Sequence, residues 1–319
     1  MSDSIRYHLR HDTRYEYDEP VGESHQLLRL VPRQLPGQRI LSHRLEIQPA
    51  PTRQDAFVDS FGNEVRIIDL ELDHSELLIR AETWAEISPP KQPPEAILPW
   101  QQTRQALAYV AGKRYSPELL NASRFLFESK HVRVKREFAA YASECFGADD
   151  SLLSGTTRLM GRIFDEFTFD PEATTVSTPV TEVFEKKRGV CQDYAHFMLS
   201  CLRSIGLPAR YMSGYLLTRP PPGKPRLIGA DATHAWIAVF CPPEGWIEFD
   251  PTNNIQPEME HIVLGWGRDF ADVSPLRGVL MGGGSHDPEI SVTVVPESEF
   301  HAVYRDVEDA PTPPLPGLD

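Results

Sequence analysis

The sequence contains few cysteines. Among its 319 residues there are four, and no two of them form a CxxC pair: Cys145, Cys191, Cys201 and Cys241. Such a sparse set does not form the disulfide framework of a small secreted scaffold. We therefore expect the protein in the reducing cytoplasm, where a cysteine thiol stays free for chemistry.

Long apolar runs are also missing, and basic residues are outnumbered. No segment approaches the roughly 18 apolar residues of a membrane span, and the first residues, MSDSIRYHLRHDTRYEY, lack the apolar core of a signal peptide. The chain has 46 acidic residues against 32 lysines and arginines, which gives a formal net charge of −14. We therefore expect no nucleic-acid partner and no docking on anionic membranes.

The first part of the chain has the alternating pattern of half-buried strands. Apolar or aromatic residues alternate with polar ones within residues 5–17, 41–47 and 77–87. This period of two predicts a small antiparallel β-sandwich over residues 1–88. The proline-rich segment 89–100 then predicts a stiff linker between two domains.

Helical spacing of apolar residues follows the linker, and strand patterns return after residue 208. We therefore expect an α+β domain over residues 101–280 and a C-terminal strand region over 281–305. Within the helical part, Thr178 is the predicted N-cap of a short helix that Gly189 ends. The last residues, 306–319, are acidic and rich in proline, which is typical of disorder.

One predicted helix begins at a cysteine. In RGVCQDYAHFMLSCLRSIGLPARY (188–211) apolar residues repeat at helical spacing from Tyr194 to Ile205, and Cys191 lies in the first turn. Unpaired backbone N–H groups and the positive end of the helix dipole favour a thiolate there, and the same N–H groups can stabilise an oxyanion. Cys201 lies on the apolar face, where a thiol is a packing group. Cys191 is therefore the candidate nucleophile.

A thiolate nucleophile needs a base, and the base needs an acceptor that orients it. His234 precedes the apolar strand AWIAVF, and Asp250 ends the strand GWIEFD. If CPPEG joins these strands into an antiparallel hairpin, the start of one lies beside the end of the other. Each of the three residues alone is more typical of a structural role. Their order and their positions on these elements together favour a Cys-His-Asp triad.

A metal site is the alternative for some of the same residues. Cys191, His196, His234 and His261 could be drawn as ligands, but their spacings match no short zinc motif. His196 is five positions beyond Cys191, which rotates its side chain away from the cysteine's face of the helix. We therefore expect no metal and no organic cofactor.

These segments resemble the transglutaminase-like superfamily. GVCQDYAHFMLSCLRSIGLPARYMSGY, HAWIAVF and GWIEFDPTNN resemble its Cys, His and Asp boxes, in order and at the usual separations. Residues 1–88 resemble the β-rich N-terminal region of bacterial members, and residues 263–286 resemble the segment that follows their catalytic domain. The resemblance implies that residues 101–280 form a catalytic domain with a papain-like α+β core.

The resemblance also implies roles for individual residues. Cys191 would be the nucleophile, His234 the general base and acid, and Asp250 the group that orients the histidine, with a thioester acyl-enzyme that passes to water or to an amine. A tryptophan follows the nucleophile in animal crosslinking members, whereas this chain has Gln192, which favours hydrolysis. The candidates for substrate or oxyanion contacts, each with a packing or capping role as the alternative, are Gln192, Thr178, Tyr215 and Trp236.

Three functions stay open at this point. The first is a cysteine protease or amidase with a protein or peptide substrate, and the second is a protein-glutamine γ-glutamyltransferase. The third is a non-catalytic scaffold whose partner surface is the N-terminal β domain. The proline-rich segment 217–231 leads into His234 and is a candidate gate of the cleft. The sequence does not decide the oligomeric state.

Overall fold

The computed structural model describes residues 4–90, 98–218, 228–229, 231–284 and 287–305. Three predictions fall wholly or mostly outside this described part of the chain. The residues outside it are 91–97 of the predicted linker, 219–227 and 230 of the candidate gate, and the whole predicted tail, 306–319. In the residues that are described, no helix is both long and apolar enough to cross a membrane.

Five strands at the start of the chain form an antiparallel sheet in the order β2-β5-β1-β4-β3. They are β1 (Ile5–Leu28), β2 (Gln38–Gln48), β3 (Arg53–Val58), β4 (Glu64–Leu70) and β5 (His74–Ile87). The alternation predicted for β5 is present, since Leu77, Ile79 and Ala81 are buried and the residues between them are less so. The β-rich N-terminal region is therefore confirmed.

Strand β1 changes its neighbours along its length. Its first part pairs with β5 as far as Glu16, its last part pairs with β4 from Ser24, and the register shifts between Glu16 and Val21. Leu28 of the last part, Ile68 of β4 and Ile79 of β5 belong to one apolar cluster. The parts of the sheet on either side of this register shift therefore share one apolar cluster.

The middle of the chain is helical. Its helices are α1 (Trp100–Leu107), α2 (Pro117–Ser123), α3 (Arg136–Ser143), α4 (Leu152–Glu166), α5 (Val180–Lys186) and α6 (Cys191–Ser204). Two short strands, β6 (Thr168–Phe169) and β7 (Arg188–Gly189), pair in parallel just before α6. Helix α5 corrects the prediction at both ends, because its N-cap is Pro179 rather than Thr178 and its left-handed last residue is Lys187 rather than Gly189.

A second antiparallel sheet follows α6, in the order β10-β9-β8-β11. Its strands are β8 (Ala209–Leu216), β9 (Thr233–Cys241), β10 (Gly245–Phe249) and β11 (His261–Gly267). The apolar side of α6 packs against Ala235, Ile237 and Val239, which are alternate residues of β9, and the helix is the centre of the largest apolar cluster. A helix layer on an antiparallel sheet, preceded by a β-rich region, confirms the predicted α+β class.

The last described elements return to the first sheet. They are α7 (Phe270–Val273), β12 (Leu276–Gly282), β13 (Glu289–Pro296) and α8 (Phe300–Val303). Strand β13 pairs with the first part of β1, over Tyr7–Arg14, and β12 pairs with the last part, over Val21–Leu28. Both ends of the described chain therefore lie in one sheet, and the helices and the second sheet lie between them in sequence.

Candidate active site

The helix that begins at Cys191 is buried along almost its whole length. All residues of α6 from Asp193 to Arg203 are buried, whereas Cys191 and Gln192 keep partial exposure. Packing against α3, α5 and the second sheet fixes the position of this helix. The Cys191 thiol is therefore held at the partly exposed end of a rigid, buried element.

Asp193 caps the start of this helix. Its Oδ2 accepts hydrogen bonds from the backbone N of Val190 at 2.8 Å and from Thr174 Oγ1 at 2.6 Å. Burial raises the pKa of Asp193, and these two hydrogen bonds oppose that rise only in part. The N–H groups of Cys191 and Gln192 donate to no residue that the structure describes. Two donors of the first turn therefore remain available beside the thiol.

His234 lies at the start of β9, opposite Gly214 of β8. Its Nε2 is 2.8 Å from Asp250 Oδ2, which leaves Nδ1 as the ring nitrogen that can accept the proton of the Cys191 thiol. Burial lowers the pKa of His234, but its interactions with Asp250 and then with Cys191 outweigh burial and raise the pKa to about 10. One imidazole therefore connects the thiol to the carboxylate.

The β9–β10 hairpin brings Asp250 to this position. Phe249 pairs with Ile237, so Asp250 leaves β10 beside the first residues of β9. The carboxylate is fully buried. Its Oδ1 accepts from the backbone N of Thr252 at 3.0 Å and of Asn253 at 3.3 Å. The structure therefore brings together the three residues of the predicted triad.

Oδ2 of Asp250 has three side-chain donors. Besides His234, they are Asn253 Nδ2 at 2.7 Å and His261 Nε2 at 3.1 Å. Burial raises the pKa of Asp250, but the hydrogen bonds from His234 and His261 outweigh it and hold the pKa well below its usual range. The carboxylate is thus kept ionised beside His234, as a group that stabilises an imidazolium must be.

Sequence reasoning missed the role of His261 and named it only as a metal ligand. Strands β9 and β11 both run antiparallel to β8, so their first residues lie at the same edge of the sheet. His261 is paired with Leu216 and His234 with Gly214, two residues away on the same strand. The signal was present, because HIVLGWG repeats the pattern of HAWIAVF, a histidine followed by an apolar strand.

Trp236 lies on the same face of β9 as His234. The two rings stack with centroids 5.9 Å apart and planes at 23°, and the indole edge also meets the His261 ring at 5.2 Å. Trp236 is fully buried, and its Nε1 donates to Glu248 Oε2 at 2.7 Å. Its ring therefore stacks on one imidazole and packs against the other within the protein interior.

The other three residues predicted to contact the substrate or the oxyanion have different surroundings. Tyr215 is buried and its hydroxyl hydrogen-bonds to His11 of the first sheet at 3.0 Å, so it joins the two sheets and does not line an open cleft. Thr178 Oγ1 accepts from the backbone N of Thr175 at 2.9 Å and so stabilises its own turn. Gln192 is the second residue of α6, is partly exposed and lies next to the thiol in sequence.

The four residues considered as metal ligands do not form one group. His196 stacks on His131 with centroids 5.1 Å apart, and its Nε2 accepts from the backbone N of Phe270 at 3.2 Å. A different set, His234, Asp250 and His261, has one ligand-type atom each within 4.8 Å of the others. The hydrogen bonds of Asp250 already connect these three atoms.

Comparison with known proteins shows the family of the chain. Two family models match the chain, the bacterial transglutaminase-like N-terminal region over residues 7–86 and the transglutaminase-like superfamily over residues 139–251. An uncharacterized protein of Mycobacterium tuberculosis is 37% identical over 307 residues, which are 93% of this chain and 94% of that protein. A protein-glutamine gamma-glutamyltransferase of Pseudomonas aeruginosa is 32% identical over 134 residues, which are 37% of this chain and 20% of that protein.

A solved structure has the same fold over nearly the whole chain. A candidate cysteine protease of Cytophaga hutchinsonii has a TM-score of 0.70 to this protein, at 17% sequence identity, and the match covers 93% of this chain and 92% of that one. This likeness concerns the fold, and it includes both the β-rich N-terminal region and the helix-on-sheet core. The two family matches show that the chain belongs to the transglutaminase-like superfamily and carries the N-terminal region of its bacterial members.

Proposed function

We propose that the protein is a thiol-dependent acyl-transfer enzyme that hydrolyses amide bonds of proteins or peptides. One observation carries the proposal: a single imidazole, His234, is hydrogen-bonded to a fully buried carboxylate and interacts electrostatically with a partly exposed thiol. A histidine in this position can take the thiol proton and later release it to a leaving group. The chemistry needs a free thiol, so we also propose a reducing compartment such as the cytoplasm.

In the first step Cys191 Sγ attacks the carbonyl carbon of the amide. The thiol proton has moved to Nδ1 of His234, and Asp250 stabilises the resulting imidazolium through Nε2. The negative charge that develops on the carbonyl oxygen is stabilised by the unpaired N–H groups of Cys191 and Gln192. As the C–N bond breaks, His234 gives its proton to the departing amine, and a thioester remains on Cys191.

In the second step water or an amine attacks the thioester. His234 accepts a proton from the attacking group, the C–S bond breaks, and Cys191 leaves as the thiolate. Water gives a carboxylic acid, and an amine gives a new amide. Gln192 stands where animal crosslinking relatives have a tryptophan, which supports hydrolysis.

A protein-glutamine γ-glutamyltransferase is the second candidate. The similarity to the Pseudomonas aeruginosa enzyme of that name favours it, although the match covers 37% of this chain. Both candidates share the first step and differ only in the acceptor. We expect incubation with a glutamine-rich protein and a labelled primary amine to give ammonia or new chain ends without label. Label incorporation that depends on Cys191 would instead support the transferase.

Differential alkylation tests the step that both candidates share. The other three cysteines are internal controls, since Cys145, Cys201 and Cys241 are buried and burial raises the pKa of each thiol. Iodoacetamide labelling of each peptide, followed by mass spectrometry from pH 5 to 9, should show Cys191 reacting fastest at pH 6.

Two histidine variants make this experiment specific. His234→Ala should slow the alkylation of Cys191 at pH 6, because the thiolate loses its imidazolium partner. His301→Ala changes an exposed histidine of α8 and should leave the rate as it is. If Cys191 reacts no faster than the buried cysteines in the unaltered protein, the enzyme proposal is wrong and a binding scaffold becomes the better explanation.

A further inference from the structure

A second site lies where the first sheet meets the helical core. An open cavity of about 510 Å³ there is lined by four arginines and two aspartates, namely Arg29, Arg124, Arg268, Arg277, Asp59 and Asp272. None of the residues proposed for acyl transfer lines it. The formal charge of these six side chains is +2, from four cations and two anions, in a chain whose net charge is −14.

Both carboxylates of the cavity are already engaged. Asp272 accepts from Arg268 Nε at 2.8 Å and Nη2 at 3.0 Å, a bidentate pair, and also from the Arg268 backbone N. Asp59 accepts from the backbone N–H groups of Phe61 and Asn63 and from the Asn63 side chain. Its contact with Arg29 Nε, at 3.7 Å, is longer than a hydrogen bond. Arg268 is therefore neutralised by its direct pair with Asp272, whereas the other three arginines of the cavity have no such pair among the described residues.

The three other arginines keep their charge in the wall of the cavity. Arg124 donates to the backbone O and the Oγ of Ser60, which are neutral acceptors. Arg277, on β12, is exposed and pairs with no carboxylate in the described part of the chain. Arg29 is mostly buried, and among the described residues its contact with a carboxylate is the long one with Asp59. Guanidinium groups gathered in this way repel one another unless an anion lies between them.

Phe61 organises two of these groups before any ligand arrives. The Arg124 guanidinium lies over its ring at 4.6 Å from the centroid, and Arg268 lies 5.9 Å from the same centroid. A guanidinium held against an aromatic face loses less conformational freedom when it binds an oxyanion. The site is thus preorganised, and it is assembled from segments that are far apart in sequence.

We propose that this cavity binds a compact group with two negative charges, a phosphate monoester or a dicarboxylate. Its charge matches the +2 of the lining, and arginine forks recognise both phosphate and carboxylate oxygens. Arg29 follows β1 and Phe61 lies in the turn between β3 and β4, whereas Arg124 follows α2 and Arg268 follows β11, so the bound anion bridges the first sheet and the core. Bound ligand should therefore stabilise the folded chain.

Isothermal titration calorimetry of the whole chain in a chloride buffer tests the proposal. The probes are inorganic phosphate, phosphoserine and succinate, with sodium chloride at matched ionic strength as the blank. We expect saturable binding of at least one dianion and an affinity that falls as salt is added. Tighter binding of the phosphates identifies a phosphoryl ligand, and tighter binding of succinate identifies a dicarboxylate. The absence of saturable binding by all three probes overturns the proposal.

Two variants locate the binding. Arg277→Gln changes an exposed side chain that has no ion pair with any described residue, and together with Arg124→Gln it should weaken binding by roughly tenfold or more. The control is Arg44→Gln with Arg136→Gln, which changes two exposed arginines outside the cavity and should bind like the unaltered protein. If both double variants bind equally well, the anion is held elsewhere and the proposal is wrong. If the double variant does not fold, the binding measurement is repeated with Arg277→Gln alone.

Discussion

Replacing Asp250 by asparagine should change the proton affinity of His234. The hydrogen bond with Asp250 is the largest of the contacts that raise the pKa of His234 to about 10, against the lowering effect of burial. Asparagine keeps the shape of the side chain but carries no charge. The imidazolium would then retain only Cys191 as a partner, while burial would still favour the neutral ring.

The expected fall in the pKa of His234 follows from the direct contact between its ring and the Asp250 carboxylate. An opposite charge in direct contact shifts a pKa by about 1–3 units, so we expect the pKa of His234 to fall to about 7–9 in the Asp250→Asn variant. Each unit corresponds to about 1.4 kcal/mol of interaction with the protonated ring. In this variant, protonation of His234 should therefore be less favourable by about 1.4–4 kcal/mol.

NMR titration of ¹³C-labelled imidazoles measures this shift directly, with His234→Ala to assign the signal. The matched control is Glu248→Gln, because Glu248 lies two residues before Asp250 and its Oε2 accepts a hydrogen bond from Trp236 Nε1 rather than from His234. We expect the control to titrate like the unaltered protein. An unchanged midpoint for His234 in Asp250→Asn would refute the reasoning, since the carboxylate would then not be the source of the raised pKa.

The same two groups predict how the free energy of unfolding depends on pH. The pKa of His234 is raised in the folded state, so its contribution is complete below about 6.5 and is lost as the pH rises towards about 10. The pKa of Asp250 is lowered, so its contribution is present above the usual carboxyl range and is lost in strong acid. The stability difference between the unaltered protein and Asp250→Asn should therefore be largest between about pH 4 and 6.5.

Three further substitutions test the surroundings of the site. His261→Phe removes a donor to the buried Asp250 carboxylate and should lower the free energy of unfolding by about 1.5–3 kcal/mol. Asp193→Ala removes the cap of α6 and should cost about 1–2 kcal/mol and slow the alkylation of the thiol at the helix start. Gly214→Ala places a Cβ against the backbone O of Ile262 and 2.6 Å from a Trp236 ring carbon, so we expect a loss of about 1–3 kcal/mol. Urea denaturation followed by tryptophan fluorescence measures all three losses.

Each of these three substitutions has its own control variant. His261→Gln retains a donor and should lose less stability than His261→Phe, and equal losses would mean that the hydrogen bond to Asp250 is not the cause. Asp193→Asn keeps an acceptor for the backbone N of Val190 and should recover part of the loss. Gly112→Ala adds a Cβ that meets nothing within 4 Å, although the positive φ of that residue carries its own small strain.

The sequence was informative where a feature depends on residues close together in the chain. The period of two predicted β5, and the spacing of apolar residues predicted α6 with Cys191 in its first turn. His234 and Asp250 could be paired because a short connection joins their strands, and hairpin pairing is then almost obligatory. Local patterning and chain connectivity were sufficient for this part of the site.

The sequence was silent where a feature depends on the order of strands that are distant in the chain. The contact of His261 with Asp250 requires that β8 lie between β9 and β11, and periodicity does not determine that order. Strand β8 is buried on both faces, so alternation could not show that Tyr215 points to the first sheet rather than to the cleft. The predicted ends of α5 were wrong by one residue at the N-cap and by two at the left-handed exit, which is within the usual uncertainty of helix ends.

The pairing of β1 with β13 has a consequence for synthesis on the ribosome. Strand β1 is made first, but residues 289–296, which complete its pairing, are among the last described residues to be made. Until then, one edge of β1 over Tyr7–Arg14 has no strand to bind, and an unpaired edge can pair with another chain. Nascent chains stalled before residue 289 should therefore be more prone to aggregate than the released protein, because the last strand closes the sheet that the first one begins.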